Sequence, residues 1–155
     1  MTLESLETAG LAQMDDTAIE DFLRSQRFGI LGLPADGAPY LVPISFGYDG
    51  DALYFTFIGG PESQKRTLIR ASDTATFLVT DVSSMFNWES VVLTGTPERV
   101  PESEWDELAD VLGGVWRPEV FEDALESEDI AIFRFDVEER NGIRHTGLPE
   151  GFRNL

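Results

Sequence analysis

A proline in the middle of an alternating strand constrains this chain more than any other feature. Tyr40, Val42, Ile44, Phe46 and Tyr48 alternate with Leu41, Pro43, Ser45 and Gly47, the period of a strand with one buried face. Asp49-Gly50 follows as a strong hairpin turn, and Ala52 to Ile58 reads as the returning strand. Pro43 has no N–H to give a ladder, so it must lie at an edge, at a bulge, or at an opening where something other than a strand pairs. The fold has to be a sheet that accommodates that interruption.

The rest of the chain supplies partners for this hairpin. Phe28 to Leu33 reads as a strand, and Pro34 to Pro39 carries the turn residues that reverse it. Thr17-Ala18-Ile19-Glu20 is a capping box ahead of Ile19, Phe22 and Leu23, which predicts a helix from Thr17 to Ser25 acting as a lid or plug. A second short helix is expected from Ser63 to Arg70, entered through Gly59-Gly60-Pro61-Glu62. Strands are expected from Thr74 to Asp81 and from Trp88 to Val100, with a loop from Val82 to Asn87 and a bulge or bend at Gly95. Pro101 starts a helix with Trp105, Leu108, Val111 and Leu112 on one face, and Pro118 to Glu128 forms another. Ala131, Phe133, Phe135 and Val137 mark a final strand, and the glycine-punctuated tail from Asn141 to Leu155 reads as irregular.

Six strands with hairpin links and inserted helices describe an antiparallel barrel with peripheral helices, mainly β in class or α+β. At 155 residues the chain is one domain, 1–155, with its core at about 17–140.

Charge narrows the partners. There are 29 acidic residues against 11 basic ones, a formal net charge of −18, and the basic set holds one lysine. Self-repulsion on that scale is tolerable where concentrated salt shortens the screening length to about 3 Å. The composition therefore points to a halophile's cytoplasm, as in a haloarchaeon. A polyanion without a basic stripe gains no counterion-release energy, so neither nucleic acid nor an anionic membrane is an expected partner. No run of about eighteen apolar residues occurs, and Met1-Thr2-Leu3-Glu4 lacks the basic start of a signal peptide, so a soluble cytoplasmic protein is expected.

The catalytic inventory is short. Cysteine is absent, and with it thiol nucleophiles, thiolate metal sites and disulfides. The single histidine, His145, has no Gly-x-Ser-x-Gly elbow to serve and reads as a surface residue. Among so many acids a carboxylate pair carries no signal. One feature stands apart: Ser63, Lys65, Arg66 and Arg70 follow Gly59-Gly60 at a helix start. A glycine loop frees N–H groups, the helix N-terminus adds partial positive charge, and Lys with Arg completes an anion cradle. Basic residues in a first turn oppose the helix dipole and need an anion to justify them. The plain alternative is that Lys65 pairs with Glu62 or Glu98. No P-loop and no Gly-x-Gly-x-x-Gly fingerprint is present.

The order of these segments resembles a known family. The strand Tyr40 to Tyr48, then Leu53-Tyr54-Phe55-Thr56-Phe57, then Lys65 before Leu68, and later Trp88-Glu89-Ser90-Val91-Val92-Leu93-Thr94-Gly95-Thr96, is similar to the pyridoxamine phosphate oxidase-like flavin proteins, in particular their nitroimidazole-resistance-like branch. The resemblance implies a six-stranded split barrel and a homodimer with two FMN molecules at the subunit interface. It places Lys65, with Ser63 and Arg66, at the FMN phosphate. It places Pro43, Ile44, Ser45 and Phe46 under the isoalloxazine ring, Thr56 and Phe57 as contacts from the next strand, and Trp88 as an aromatic near the ring, contributed by the partner subunit. Phe46 and Phe57 would equally suit a plain barrel core. The C-terminal Trp and Arg with which true pyridoxamine phosphate oxidases hold substrate are missing, which argues against vitamin synthesis. The implied activity is electron transfer from a reduced nicotinamide through FMN to a small acceptor. The alternatives are a deazaflavin-dependent reductase and a flavin carrier or sensor without turnover.

Overall fold

The computed structural model describes residues 10–60, 63–112 and 130–147. The hairpin of the sequence is there: β3 spans Tyr40–Tyr48 and β4 spans Ala52–Ile58. Around it lie β1 (Leu11–Gln13), α1 (Asp16–Ser25), β2 (Phe28–Leu33), α2 (Gln64–Ala71), β5 (Ala75–Ser84), β6 (Asn87–Arg99), a 3-10 turn (Glu102–Leu108) running into α3 (Ala109–Leu112), and β7 (Ile130–His145). The strands follow the order β1-β7-β4-β3-β2-β5-β6, and β6 also pairs with β7. All pairings are antiparallel, so six strands close into a barrel and β1 adds a seventh along an edge of β7.

Alternation decides what faces inward. Phe46, Phe55, Phe57, Phe77, Phe133 and Phe135 fill the interior with Leu31, Leu33, Leu53, Val79, Val91 and Leu93. The rings meet edge-on or tilted, with Phe46–Phe77 and Phe57–Phe133 centroids both 5.3 Å apart. Burying one such side chain contributes about 1.5–3 kcal/mol, so this interior carries most of the stability. Ile19, Phe22 and Leu23 of α1 join the same cluster and Ile69 of α2 adds to it, which is the plug role expected of α1. A second cluster forms outside the barrel, where Trp105, Leu108 and Leu112 cover Ala52, Tyr54, Ile130 and Ile132.

Several expectations need correction. The cap of α1 is Asp15, whose Oδ1 accepts from Ala18 N–H at 2.8 Å, and not the Thr17 box. The stretch Val82 to Asn87 is no loop, because Val82 pairs with Trp88 and Ser84 with Asn87 across a tight hairpin tip. The core is not confined to 17–140, and the segment from Asn141 to His145 is strand: it pairs with β6, and its last three residues pair with β1. Gly142, which made that stretch look irregular, is required by packing, since a Cβ there would lie 2.9 Å from Met14 Cβ and from Ile19 Cγ1. His145 is not a surface residue; it is 7% exposed. Gly95 does mark a register shift, between Thr94 and Gly95 in the β6–β7 ladder. The expected helix from Pro118 to Glu128 and the tail beyond Gly147 lie outside the described residues. Among the described residues no helix is long and apolar enough to cross a membrane.

Candidate functional site

The strands β3 and β4 pair only near their turn. Their register runs Tyr48 with Leu53, Gly47 with Tyr54 and Phe46 with Phe55, and stops there. Beyond it β3 follows β2 as far as Tyr40 opposite Leu33, while β4 follows β7 as far as Ile58 opposite Ile130. The barrel wall therefore splits. Phe46 N–H donates to Arg27 C=O at 2.9 Å, so Phe46, and by alternation Ile44 and Val42, turn their backbone groups to β2. Pro43 and Ser45 turn theirs into the split. Pro43 has no N–H to leave bare there, and of the edge, bulge or opening expected for it the structure shows an opening.

Side chains divide on the same alternation. Ile44, Phe46 and Phe57 point into the barrel and belong to its core. Pro43, Ser45, Thr56 and Ile58 lie on the outer side; Pro43 and Ile58 are exposed, and Thr56 is 7% exposed. Thr56 Oγ1 is buried and has no hydrogen-bond partner among the described residues. An unsatisfied buried hydroxyl costs about 1–3 kcal/mol.

At the far end of the split β4 runs into the glycine loop. Gly59 has φ +139°, a conformation open to glycine. Ser63 caps α2, its Oγ accepting from Arg66 N–H at 3.4 Å. Lys65 reaches back over the loop, so that a Cβ on Gly59 would lie 4.0 Å from its Nζ. Among the described residues no ion pair involves Lys65; Glu98 is not its partner, and Glu62 lies outside the described residues. Arg66 is buried and gives Nη1 to Gly59 C=O at 3.2 Å, and Arg70 gives Nε to Arg66 C=O at 3.1 Å. Arg66 thus fixes the loop, while Lys65 lies along it.

Trp88 is not brought to this site within one chain. It sits on β6, which is opposite β3 in the order of the closed barrel. Between them runs an outer row that sequence reasoning missed: Pro43 faces Ile30, Ile30 faces Leu78, and Leu78 faces Val92. Phe28, Leu41, Val82, Met85 and Ile143 add exposed apolar surface around it, and a groove of about 560 Å³ opens beside Ile30, Leu41 and Leu78. The signal was available in Phe28 to Leu33, which is apolar on both faces of the strand. Together these residues leave a bare apolar face on β2, β3, β5 and β6.

The opposite end of the β3–β4 hairpin is closed by polar contacts. Asp49 accepts from Ala52 N–H at 2.7 Å, Asp51 N–H at 2.8 Å and Tyr54 O–H at 3.1 Å. Burial pushes its carboxyl up, but these hydrogen bonds and nearby Arg134 outweigh burial and hold it below the usual carboxylate range. Burial, and then the Asp49 charge, push the Tyr54 hydroxyl up. Arg134 completes the cluster, giving Nη1 to Tyr54 Oη at 2.7 Å and Nε to Asp136 Oδ1 at 2.8 Å.

The split thus runs between the backbone of Pro43 and Ser45 on one side and β4 on the other, and it ends at the glycine loop and Lys65. Comparison with known proteins gives this geometry a setting. The fold matches a FAD-binding protein from Mesorhizobium loti with TM-score 0.70 and 22% identity, over 88% of this chain and 98% of that one. It matches the FAD and heme binding protein from Mycobacterium smegmatis with TM-score 0.71 and 20% identity, over 91% of this chain and 76% of that one. A candidate 5-nitroimidazole antibiotic resistance protein from Bacteroides thetaiotaomicron matches with TM-score 0.65 and 21% identity, over 87% and 89%. In sequence, 69 residues are 30% identical to a protein from Rhizobium meliloti, 44% of this chain and 44% of the relative's length. The pyridoxamine 5'-phosphate oxidase family model matches residues 15–144, which takes in the split, the glycine loop and Trp88 together. By that match the chain belongs to the pyridoxamine 5'-phosphate oxidase family.

Proposed function

We propose that the chain is an FMN-binding flavoprotein that works as a homodimer, passing electrons from a reduced nicotinamide to a small acceptor. The observation that carries this reading is the split between β3 and β4, with the glycine loop and Lys65 at its end. Pro43, Ser45 and Thr56 would line the ring and its polar edge, and Lys65 with the cap of α2 would take the phosphate. Ile44, Phe46 and Phe57 support the wall from within, and Arg66 holds the loop. When bound, FMN supplies the redox chemistry itself, so the short inventory of catalytic side chains is sufficient. The net charge of −18 fits the same protein to concentrated salt.

Two copies complete the site. A two-fold axis through the middle of the row Pro43, Ile30, Leu78 and Val92 sets Ile30 of one copy against Leu78 of the other and β6 against the partner's β3. That arrangement covers the bare face and carries Trp88 toward Pro43 and Ser45 of the partner's split. A FAD ligand is a second reading, favoured by the FAD-binding relatives from Mesorhizobium and Mycobacterium. A deazaflavin with a long acidic tail fits less well, because Arg66 and Arg70 direct donors to backbone carbonyls of their own segment. Purifying the protein in molar salt, recording its absorption spectrum and separating the released cofactor by chromatography decides the matter. Flavin bands with FMN released support the reading; FAD, a deazaflavin, or a colourless protein that takes up no added FMN overturns it.

A further inference from the structure

His145 lies on the outer side of β7, two residues beyond Ile143, which is 47% exposed, yet it is itself buried. Its Nδ1 lies 2.7 Å from Phe86 C=O. A carbonyl can only accept, so Nδ1 carries a proton and donates it to Phe86 C=O. The imidazole stacks on Trp88, with centroids 6.2 Å apart and planes at 26°, and meets the Phe86 ring at 5.9 Å. Gly10 closes the other side: it has φ +92°, its carbonyl accepts from Thr146 N–H at 3.1 Å, and a Cβ there would lie 3.3 Å from His145 Cε1. One side chain thus ties the tip of the β5–β6 hairpin, the start of β1 and Trp88 together. The hairpin itself does not need this tie, since β5 and β6 pair continuously from Ala75 opposite Gly95 to Val82 opposite Trp88. What the tie does restrict is the orientation of Trp88, whose indole is only half-buried.

We propose that His145 is a positioning residue for the flavin site: it holds Trp88 and the hairpin tip in the orientation in which they cover the partner subunit's flavin. This rests on the flavin-dimer reading above. The test is the fluorescence of flavin bound to the holo-dimer in molar salt, because an indole in contact with an excited flavin quenches it. Trp88→Leu should raise that emission. His145→Ala should raise it as well, and should weaken FMN binding by about two- to tenfold, the change set by one hydrogen bond or one aromatic contact. His145→Asn, which keeps an N–H near the place of Nδ1–H, should lie between His145→Ala and wild type, and it decides the matter where His145→Ala fails to fold. In the Trp88→Leu background, His145→Ala should change the emission no further. If the His145 variants keep wild-type emission while Trp88→Leu raises it, the flavin site stands and the positioning role falls. If Trp88→Leu changes nothing although flavin is bound, Trp88 does not cover the flavin and the proposal falls alone. A protein that binds no flavin overturns the proposed function and this proposal with it.

Discussion

The two ends of the β3–β4 hairpin are built from the same two strands and differ in almost every other respect. At the turn, every polar group of Asp49, Tyr54 and Arg134 finds a partner in the chain. At the split, the ladder stops at Phe46 and a proline replaces a donor; on the outer face of β4 Thr56 Oγ1, and at the end of that strand the lone lysine, have no hydrogen-bond or ion-pair partner among the described residues. The closed end contributes stability, and the open end gives some up. The contrast separates residues that hold the barrel from residues that the proposed flavin would satisfy.

The largest expected effect is at the closed end. A Cβ on Gly47 would sit 2.2 Å from Val111 C=O on α3, a backbone atom that cannot swing away. Gly47→Ala should cost about 3 kcal/mol of unfolding free energy in a denaturant titration, with or without ligand. Next comes Lys65→Ala, which should leave the unfolding midpoint of the apo-protein nearly unchanged and weaken FMN binding by about 1.5–3 kcal/mol, roughly ten- to a hundredfold. Riboflavin, which lacks the phosphate, should hardly notice the change, and equal losses for both ligands would remove Lys65 from the phosphate.

Thr56→Val sharpens the comparison further, because the two readouts should move in opposite directions. Deleting an unsatisfied buried hydroxyl should leave the apo-protein equally stable or up to about 1 kcal/mol more stable, while flavin affinity falls by about the same amount. A loss of apo stability would show that the hydroxyl serves the fold.

The smallest effect concerns Asp49. Its folded carboxyl titrates below its unfolded value, so the stability it contributes is present above the ordinary carboxylate range and is lost as pH falls through the folded value. Asp49→Asn should therefore lower the midpoint near neutral pH, by under about 1 kcal/mol for so exposed a turn, and the difference from wild type should vanish in acid. A difference that grows in acid would contradict the assignment.

What could be read in advance follows the same division. The hairpin, its turn at Asp49-Gly50 and the interruption at Pro43 are local signals, so the split was legible from residues adjacent in sequence. Lys65 was legible because a chain with one lysine makes that lysine conspicuous. The end of β7 was not: its partners, Met14 over Gly142 and Leu11 opposite His145, lie some 130 positions away, and the glycine that looked like a break is there to let α1 pack. His145 and the hairpin tip were missed for the same reason, since the Phe86 carbonyl that buries the imidazole cannot be anticipated from the tail itself. The face of Phe28 and Ile30 was visible as a doubly apolar strand, but its continuation from β3 to β6 appears only once the strand order is known.

The central claim is that the open end binds flavin and that a second copy completes it. Sedimentation velocity in molar salt, followed at a flavin absorption band, tests both parts at once. The account predicts that the flavin signal moves with a particle of twice the 17.2 kDa chain mass. Flavin carried in full by a 17.2 kDa species, or no flavin signal moving with the protein at all, would contradict it.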